Sequence, residues 1–175
     1  IEDKWVLSRC NRLIKEVTDN IESFELGIAL GKLYDFIWDT YCDWYIELTK
    51  PRIAQGGETA RAAQNVLVYV MRDILKLLHP FMPFITEEIW QSMPVAGEAE
   101  SIMISEWSKY DEKLDFSAEE SDFTKIIDAI KAVRGKRTEL NVPPSKKVTM
   151  HIETSEKELF ASCAVFFEKL AGASN

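Results

Sequence analysis

Apolar residues recur every three or four positions through the first two-thirds of the chain, which is the spacing of amphipathic helices. The first such stripe contains Val6, Cys10, Leu13, Val17 and Ile21. A second stripe predicts a longer helix, from about Ser23 to Lys50, which Pro51 is expected to stop. The apolar side of this helix is formed by Leu26, Leu30, Leu33, Phe36, Ile37, Trp38, Tyr41, Cys42, Trp44, Tyr45 and Leu48. So wide an apolar side predicts a central position in a bundle, with Trp38 in the core.

Two further helices are predicted between Gly57 and Met93. The third has Thr59 as its expected cap and ends before Pro80. Its apolar side is formed by Ala63, Leu67, Val70, Ile74 and Leu77. Pro80 and Pro83 restrict the backbone and predict a rigid elbow, followed by a fourth helix. The residues of this helix expected to point inward are Phe84, Ile85, Ile89, Trp90 and Met93. Residues 1–94 are therefore predicted to form an antiparallel helix bundle.

The pattern changes after Pro94, where a polar connection leads to a short extended segment predicted from Ile102 to Trp107. Capping boxes open two more helices, one at Ser117 with Glu120 and one at Ser155 with Glu158. Between these helices, polar and apolar residues alternate from Lys147 to Ile152, as in a strand with one buried face. Residues 95–175 are therefore predicted to form a small, partial α/β appendage, and the fold class is mainly α.

Composition narrows the class of protein. At 175 residues the chain suits one domain with a small appendage. Its 46% hydrophobic and 11% aromatic content excludes an intrinsically disordered protein. No apolar run approaches the roughly 20 residues needed to cross a bilayer, so no membrane role is expected. The three cysteines are widely spaced and odd in number, which favours reduced thiols in a cytoplasmic protein over disulfides or a zinc site.

Positive charge is concentrated in one segment of an acidic chain. The net charge is −8, which disfavours general affinity for nucleic acid. Between Ile130 and Lys147, however, the sequence has six cationic residues and one glutamate, which gives this segment a net charge of +5. The rest of the chain therefore has a net charge of −13. This basic segment suits docking of one region of a nucleic acid, with Arg134, Arg137, Lys146 and Lys147 as candidate phosphate contacts. An alternative is that it docks against another protein domain.

Residues suited to catalysis or metal binding do not form a recognisable set. The two histidines, His79 and His151, have no partner at a catalytic or metal-ligand spacing. Asp35, Asp39 and Asp43 share one side of a helix, where a solvent-exposed row with ion pairs is expected. No glycine-rich phosphate-binding loop occurs. The chain itself is therefore predicted to contain no catalytic and no metal-binding residues.

Three separated motifs carry a family resemblance. They are CDWYIELTKP from Cys42 to Pro51, HPFMPFITEEIW from His79 to Trp90, and LNVPPSKKV from Leu140 to Val148. In this order they resemble the anticodon-binding region of the class I aminoacyl-tRNA synthetases, and the valyl enzymes most of all. The HIGH and KMSKS signatures, with which this class activates amino acids, are absent from the chain.

The resemblance implies a region that holds the anticodon stem-loop of valine tRNA. By that resemblance, Ile46 and Glu47 are candidate base contacts, and Lys50 and Arg52 are candidate phosphate contacts. It also implies a parent ligase, cytoplasmic and monomeric, that uses ATP and magnesium in a catalytic domain absent from this chain. Other domains of the same parent are expected as partners. The bundle of this family begins with a helix upstream of Ile1, so the first helix is expected to be missing and the appendage to be truncated.

Two alternatives remain open at the level of the sequence. The isoleucyl and leucyl enzymes share the bundle and an elbow like HPFMPF, although the NVPPSKK stretch favours the valyl group. A helical protein-interaction module without an RNA role is the alternative from another class. Its expected mark is an exposed apolar patch in place of a basic one.

Overall fold

The computed structural model describes residues 1–93, 99–143 and 145–174, and it divides into two compact units. The first unit is Ile1–Ser117 and the second is Ala118–Asn175. The predicted boundary at residues 94 and 95 lies outside the described residues. The mainly α fold class is confirmed, because the described residues are helical apart from turns, connections and two strands of two residues each.

Helices build the first unit. In chain order they are α1 (Glu2–Glu22), α2 (Leu26–Asp35), a π-helical segment (Phe36–Ile46), α3 (Glu47–Gln55), α4 (Gly57–Leu78) and α5 (Pro83–Ser92). α1 packs against α2 and α4, and α3 packs against α4. Since short connections join helices that pack together, α1 and α2 run antiparallel, as do α3 and α4. The predicted apolar side of α1 is confirmed, with Val6, Cys10, Leu13 and Val17 buried and Ile21 half-buried.

The helix from Leu26 to Gln55 is continuous, but its middle is π-helical, and this changes which residues are buried. The buried positions form two rows that repeat every four residues, one of Phe36, Thr40, Trp44 and Leu48 and one of Tyr41, Tyr45 and Thr49. In an α-helix, residues three apart lie roughly 60° apart around the axis, so Trp38 would share the side of Tyr41. Hydrogen bonds from i to i+5 widen the turn and rotate Trp38 away from that side. The prediction of a core Trp38 is wrong, since its side chain is 52% exposed.

Pro51 does not stop this helix, which continues to Gln55. A proline removes the N–H that would otherwise reach back to a preceding carbonyl. The carbonyl that an N–H at position 51 would reach in an α-helix is that of Glu47. One residue before it, the carbonyl oxygen of Ile46 accepts a hydrogen bond from the hydroxyl of Thr49 at 2.8 Å. The next helix, α4, begins at Gly57 before the predicted cap Thr59, after Gly56 and Gly57 adopt positive φ angles of 75° and 76°.

The elbow after α4 orients α5 differently from the prediction. Thr86 is fully buried, and its hydroxyl donates to the carbonyl of Met82. The same hydroxyl oxygen lies 2.7 Å from Nδ1 of His79. Because the hydroxyl has a single hydrogen, Nδ1 of His79 is the donor in this second hydrogen bond. This arrangement turns Thr86 inward, and Trp90 packs with Leu75 and Ile102, as predicted for Trp90. The predicted inward positions Phe84, Ile85 and Ile89 are instead exposed, Phe84 by 90%.

Residues 99–116 belong to the first unit because polar side chains anchor them to α1 and α4. The indole of Trp107 donates to Thr18 Oγ1 at 2.9 Å, and the Ser108 hydroxyl donates to Asp73 Oδ1 at 2.8 Å. Asn11 exchanges two hydrogen bonds with the backbone of Asp111. The extended segment predicted from Ile102 to Trp107 instead opens with a 3₁₀ turn at Ile102–Ile104.

The buried Asp73 gives the first unit a pH-dependent stability. Burial raises the pKa of Asp73, and the hydrogen bond from Ser108 only partly offsets it. A raised folded-state pKa of an acid means that folded stability falls as the pH rises through that value. We expect Asp73→Asn to be more stable than wild type at pH 7 and to lose this advantage near pH 3, in urea denaturation followed by tryptophan fluorescence.

The matched control for this prediction is Ser108→Ala, which keeps the carboxyl group but removes its hydrogen bond. It should destabilise the first unit by about 1–3 kcal/mol at pH 7. An Asp73→Asn protein less stable than wild type at pH 7 would contradict the prediction, and would mean that the charge of Asp73 is stabilised by Arg72.

The second unit begins at Ala118, the second residue of α6 (Ser117–Glu139). Its other elements are β1 (Val148–Thr149), α7 (Lys157–Ser162), α8 (Ala164–Leu170) and β2 (Ala173–Ser174). Phe123 of α6 meets Phe166 of α8 edge-on, with ring centroids 5.5 Å apart. β1 is shorter than the strand predicted from Lys147 to Ile152, and it pairs in parallel with β2, where no strand was predicted. The small α/β character of this part is confirmed.

Cysteine, membrane and metal features can be stated for the described residues. Cys10, Cys42 and Cys163 are free thiols. Within the described ranges, none of the helices combines the length and apolar character that crossing a bilayer requires. In the same residues, His, Cys, Asp and Glu side chains form no group of three or more that could hold a metal ion.

Candidate nucleic-acid interface

The predicted base and phosphate contacts Ile46, Glu47 and Lys50 lie where the π-helical segment passes into α3. Ile46 is half-buried, and Glu47 forms an ion pair with Lys50 one turn later. The side chains of Glu47 and Lys50 are 43% and 61% exposed, so the pair is solvated and contributes little to stability. Both groups can therefore exchange this contact for a ligand at low cost.

Arg52 is held inside the first unit. Its guanidinium donates to Asp3 through two nitrogens, at 2.7 and 2.9 Å, and to Glu2 Oε1 at 2.6 Å. It also donates to the carbonyl of Thr59 at 3.1 Å, while the hydroxyl of Tyr45 donates to Asp3 Oδ1 at 2.8 Å. The Arg52 side chain is 21% exposed. We call this set of five residues the Arg52 network, and it ties the start of α1 to the end of α3 and the start of α4.

The protonation states of the Arg52 network follow from its geometry. Burial tends to raise the pKa of Asp3, but the hydrogen bonds from Arg52 and Tyr45 outweigh it, so the pKa is lowered. The hydrogen bond to Asp3 raises the pKa of Arg52. Burial raises the pKa of Tyr45, and Asp3 adds to this. At neutral pH the network therefore contains a carboxylate, a guanidinium and a neutral phenol.

An exposed aromatic pair, Tyr34 and Trp38, was missed by sequence reasoning. The two rings are tilted, with centroids 6.2 Å apart, and the side chains are 62% and 52% exposed. They lie on the same continuous helix as Glu47 and Lys50. Exposed aromatic rings are the groups on which unpaired RNA bases stack.

The cations of the basic segment lie in the second unit, and three of the four predicted contacts bind backbone carbonyls. Arg134 Nε donates to the carbonyl of Leu170 at 2.6 Å, and Lys147 Nζ donates to that of Glu168 at 2.7 Å. Arg137 Nη2 donates to the carbonyls of Pro143 and Lys146 at 2.8 and 2.7 Å. Lys146 is exposed. These bonds fix the positions of the positive groups, so the segment is more than a solvated helix face.

The eight predicted contacts thus fall into two sets. Ile46, Glu47, Lys50 and Arg52 lie in the first unit, and Arg134, Arg137, Lys146 and Lys147 lie in the second. The first set joins hydrogen-bonding groups with a nearby aromatic pair, an arrangement suited to reading unpaired bases. The second set supplies positive charge without aromatic rings, an arrangement suited to phosphate.

A family model described as the anticodon-binding domain of tRNA ligase matches residues 3–152. The chain belongs to this family. Among curated relatives, this anticodon-binding domain is 52% identical to the valine–tRNA ligase of Clostridium acetobutylicum over the whole chain. It is 49% identical to that of Clostridium perfringens over 99% of the chain, and 44% identical to that of Thermotoga maritima over 90%. The resemblance to valyl enzymes is confirmed and is supported over the isoleucyl and leucyl alternatives.

The match covers a limited part of each relative. The anticodon-binding domain spans 20% of the two clostridial proteins and 18% of the Thermotoga protein. The relatives are named as ligases, which are enzymes, and this chain corresponds to their anticodon-binding region.

Proposed function

We propose that this domain binds the anticodon stem-loop of valine tRNA, as part of a valine–tRNA ligase. The family match and the names of the relatives support this proposal. The observation that carries it is the outward side of the helix from Leu26 to Gln55, which presents Tyr34 and Trp38 and then Glu47 and Lys50. Trp38 and Glu47 are nine residues apart, about two turns where hydrogen bonds run from i to i+5.

Each group on this side has a chemical role in the proposal. Trp38 and Tyr34 stack on splayed anticodon bases, since every base has a face that an aromatic ring can cover. Glu47 accepts a hydrogen bond from an exocyclic amine of cytosine or adenine, and Ile46 provides an apolar contact beside it. Lys50 contacts a phosphate. For Arg52 we propose a supporting role in place of the predicted phosphate contact, because Glu2 and Asp3 already bind its guanidinium.

The second set of cations provides the electrostatic attraction. Arg134, Arg137, Lys146 and Lys147 lie in the segment whose local charge is positive, while the rest of the chain is acidic and repels phosphate. We therefore propose that the tRNA backbone is drawn to this segment, and that binding weakens steeply with salt because counterions are released.

Trp38→Ala is expected to lower the affinity for a fluorescently labelled valine anticodon stem-loop by roughly 5- to 100-fold, the loss of one base stack. The physical reason is that the exposed ring is removed while the core is untouched. Fluorescence anisotropy at fixed salt measures the affinity. The matched control is Phe84→Ala, which removes an aromatic ring that is 90% exposed on α5, and it should leave the affinity unchanged. Equal losses in both variants would refute base stacking at Trp38.

The activity of the parent also belongs to the proposal. We propose that it charges valine tRNA with ATP and magnesium bound in a catalytic domain outside this chain, as the resemblance implies. The cytoplasmic location and the monomeric state expected for the parent remain predictions.

A second candidate function rests on α5. Met82, Phe84, Ile85 and Ile89 are exposed apolar side chains on or beside this helix. Exposed apolar surface of this kind marks contacts with protein. We propose that another domain of the ligase covers it, since the chain spans only about one-fifth of the relatives. Loss of affinity for the separately expressed catalytic region in a Phe84→Ser variant, measured by calorimetry, would support this contact, and an unchanged affinity would exclude it.

A further inference from the structure

A basic pocket lies in the second unit, between the C-terminal half of α6 and the end of α8. It has a volume of about 440 Å³, and four cationic side chains line it, Arg134, Arg137, Lys147 and Lys169. The described lining contains no acidic side chain. A concave site with four positive groups and no negative side chain among its lining residues favours an anion.

The carbonyls at the C-terminal end of α8 would by themselves repel an anion, because a helix carries partial negative charge there. Two of the pocket cations cancel this effect. Arg134 Nε donates to the Leu170 carbonyl and Lys147 Nζ donates to the Glu168 carbonyl. An ammonium group has three N–H donors, so Lys147 keeps donors for a ligand after making this bond. The pocket is thus positive in spite of the helix end beside it.

Arg137 and Gly172 set the shape of the pocket. The guanidinium of Arg137 holds the turn before Lys147 through the carbonyls of Pro143 and Lys146. Gly172 has a φ of +69°, and a Cβ added there would lie 3.2 Å from Cζ of Arg137. A side chain at position 172 would therefore strain the backbone and press on the guanidinium. Arg137 is a positioning residue, which fixes where the ammonium group of Lys147 lies.

Lys169 is the fourth cationic residue that lines the pocket. It is exposed, follows Glu168 directly in α8, and makes no hydrogen bond or ion pair among those described for residues 145–174. Its ammonium group is therefore available together with that of Lys147. Sequence reasoning did not single out Lys169, because it lies outside the positive segment between Ile130 and Lys147.

We infer that this pocket is a phosphate site that takes one phosphodiester group of the tRNA backbone, with Lys147 and Lys169 as its contacts. The inference rests on the proposed tRNA function and deepens it. It distinguishes the contacts, Lys147 and Lys169, from Arg137, which supports them. The pocket reads no base, so it adds affinity and orientation and leaves the choice among tRNAs to other surfaces.

The test uses the whole 175-residue chain and the double variant Lys147→Gln, Lys169→Gln. Binding of labelled valine tRNA is measured at several salt concentrations. The expected result is weaker binding at low salt, with a log–log salt slope less steep by about 1.4, from roughly 0.7 per lost contact with single-stranded RNA. The matched control is Lys136→Gln, which removes an exposed cation of α6 that pairs with Glu139 and does not line the pocket. Its slope should stay close to that of wild type.

A second measurement separates failure of the pocket from failure of the tRNA function. Inorganic phosphate is titrated into ¹⁵N-labelled protein, and the amide signals of Ala171 and Gly172 are followed by NMR. They are expected to shift in wild type and not in the double variant. If wild type binds tRNA but the double variant keeps the full salt slope, the pocket is overturned and the tRNA function stands. If phosphate shifts the signals but tRNA does not bind, the assignment to RNA is overturned.

Discussion

Arg52→Ala is expected to destabilise the first unit by about 3 kcal/mol, because Asp3 would lose its guanidinium partner and Glu2 one of its two cations in a mostly buried position. Arg52 donates to Glu2, Asp3 and the Thr59 carbonyl, so its removal breaks contacts among α1, α3 and α4 together. Urea denaturation followed by tryptophan fluorescence measures the effect. All five tryptophans lie within residues 5–107, so the signal reports on the first unit alone.

Lys50→Ala is the matched control, since it also removes a cation of α3 with a carboxylate partner. The Glu47–Lys50 pair is solvated, and the expected loss is below about 1 kcal/mol. If Arg52→Ala unfolds at the same urea concentration as Lys50→Ala, the Arg52 network does not stabilise the bundle. Arg52 would then return as a candidate phosphate contact.

The difference between wild type and Arg52→Ala should also depend on pH. The pKa of Asp3 is lowered in the folded state, so its contribution to stability is present above the unfolded value of about 3.9. It is lost as the pH falls through the folded value, because the protonated carboxyl no longer pairs with a guanidinium. The difference in stability between the two proteins should therefore shrink as the pH falls from about 4 through the folded-state pKa of Asp3. A difference that stays constant down to pH 2 would exclude the charged network as its source.

Trp44→Ala is expected to destabilise the first unit by about 3–5 kcal/mol, the loss typical of a buried tryptophan. Trp44 is 6% exposed on the inner side of the π-helical segment. Trp38→Ala, the same substitution six residues earlier on the same segment, should change stability by no more than about 0.5 kcal/mol. Equilibrium denaturation of the two variants compares them directly, with far-UV circular dichroism as the signal since each loses a fluorophore.

The relative sizes of the two losses in stability test whether the segment Phe36–Ile46 is π-helical. A regular α-helix would bring Trp38 towards the side of Tyr41, and its substitution would then cost as much as that of Trp44. Equal losses in the two variants would therefore show that the segment is α-helical in solution and that Trp38 is a core residue. In that case the proposed stacking surface would also be withdrawn.

Part of the fold could be read from the sequence because regular helices repeat their buried positions every 3.6 residues. The buried sides of α1 and α4 follow that period, so Val6, Cys10, Val17, Val70 and Ile74 were predicted and are buried. The elbow at Pro80 and Pro83 was also predicted, since proline restricts its own φ and the preceding residue. Periodicity failed on the helix from Leu26 to Gln55, because a π-helical turn changes the period itself.

Part of the candidate site could also be predicted from the sequence, and part could not. The motifs around Glu47, His79 and Pro143 were sufficient to indicate the family, since they are local in sequence. The sequence could not show which cations are engaged. Arg52 meets Asp3 across 49 residues, and Lys147 meets the Glu168 carbonyl across 21 residues. A sequence does not show whether a cationic side chain is surrounded by solvent or paired with a carboxylate.

By itself, the sequence determined the helical class, the family and the concentration of positive charge between Ile130 and Lys147. The tertiary structure decided that Trp38 is exposed, that Arg52 is bound inside the bundle, and that Lys169 joins Lys147 in one pocket. The physical reason is that helix period and composition are properties of neighbouring residues along the chain. Exposure, pairing and enclosure depend on contacts between residues far apart in the chain, and only packing brings those together.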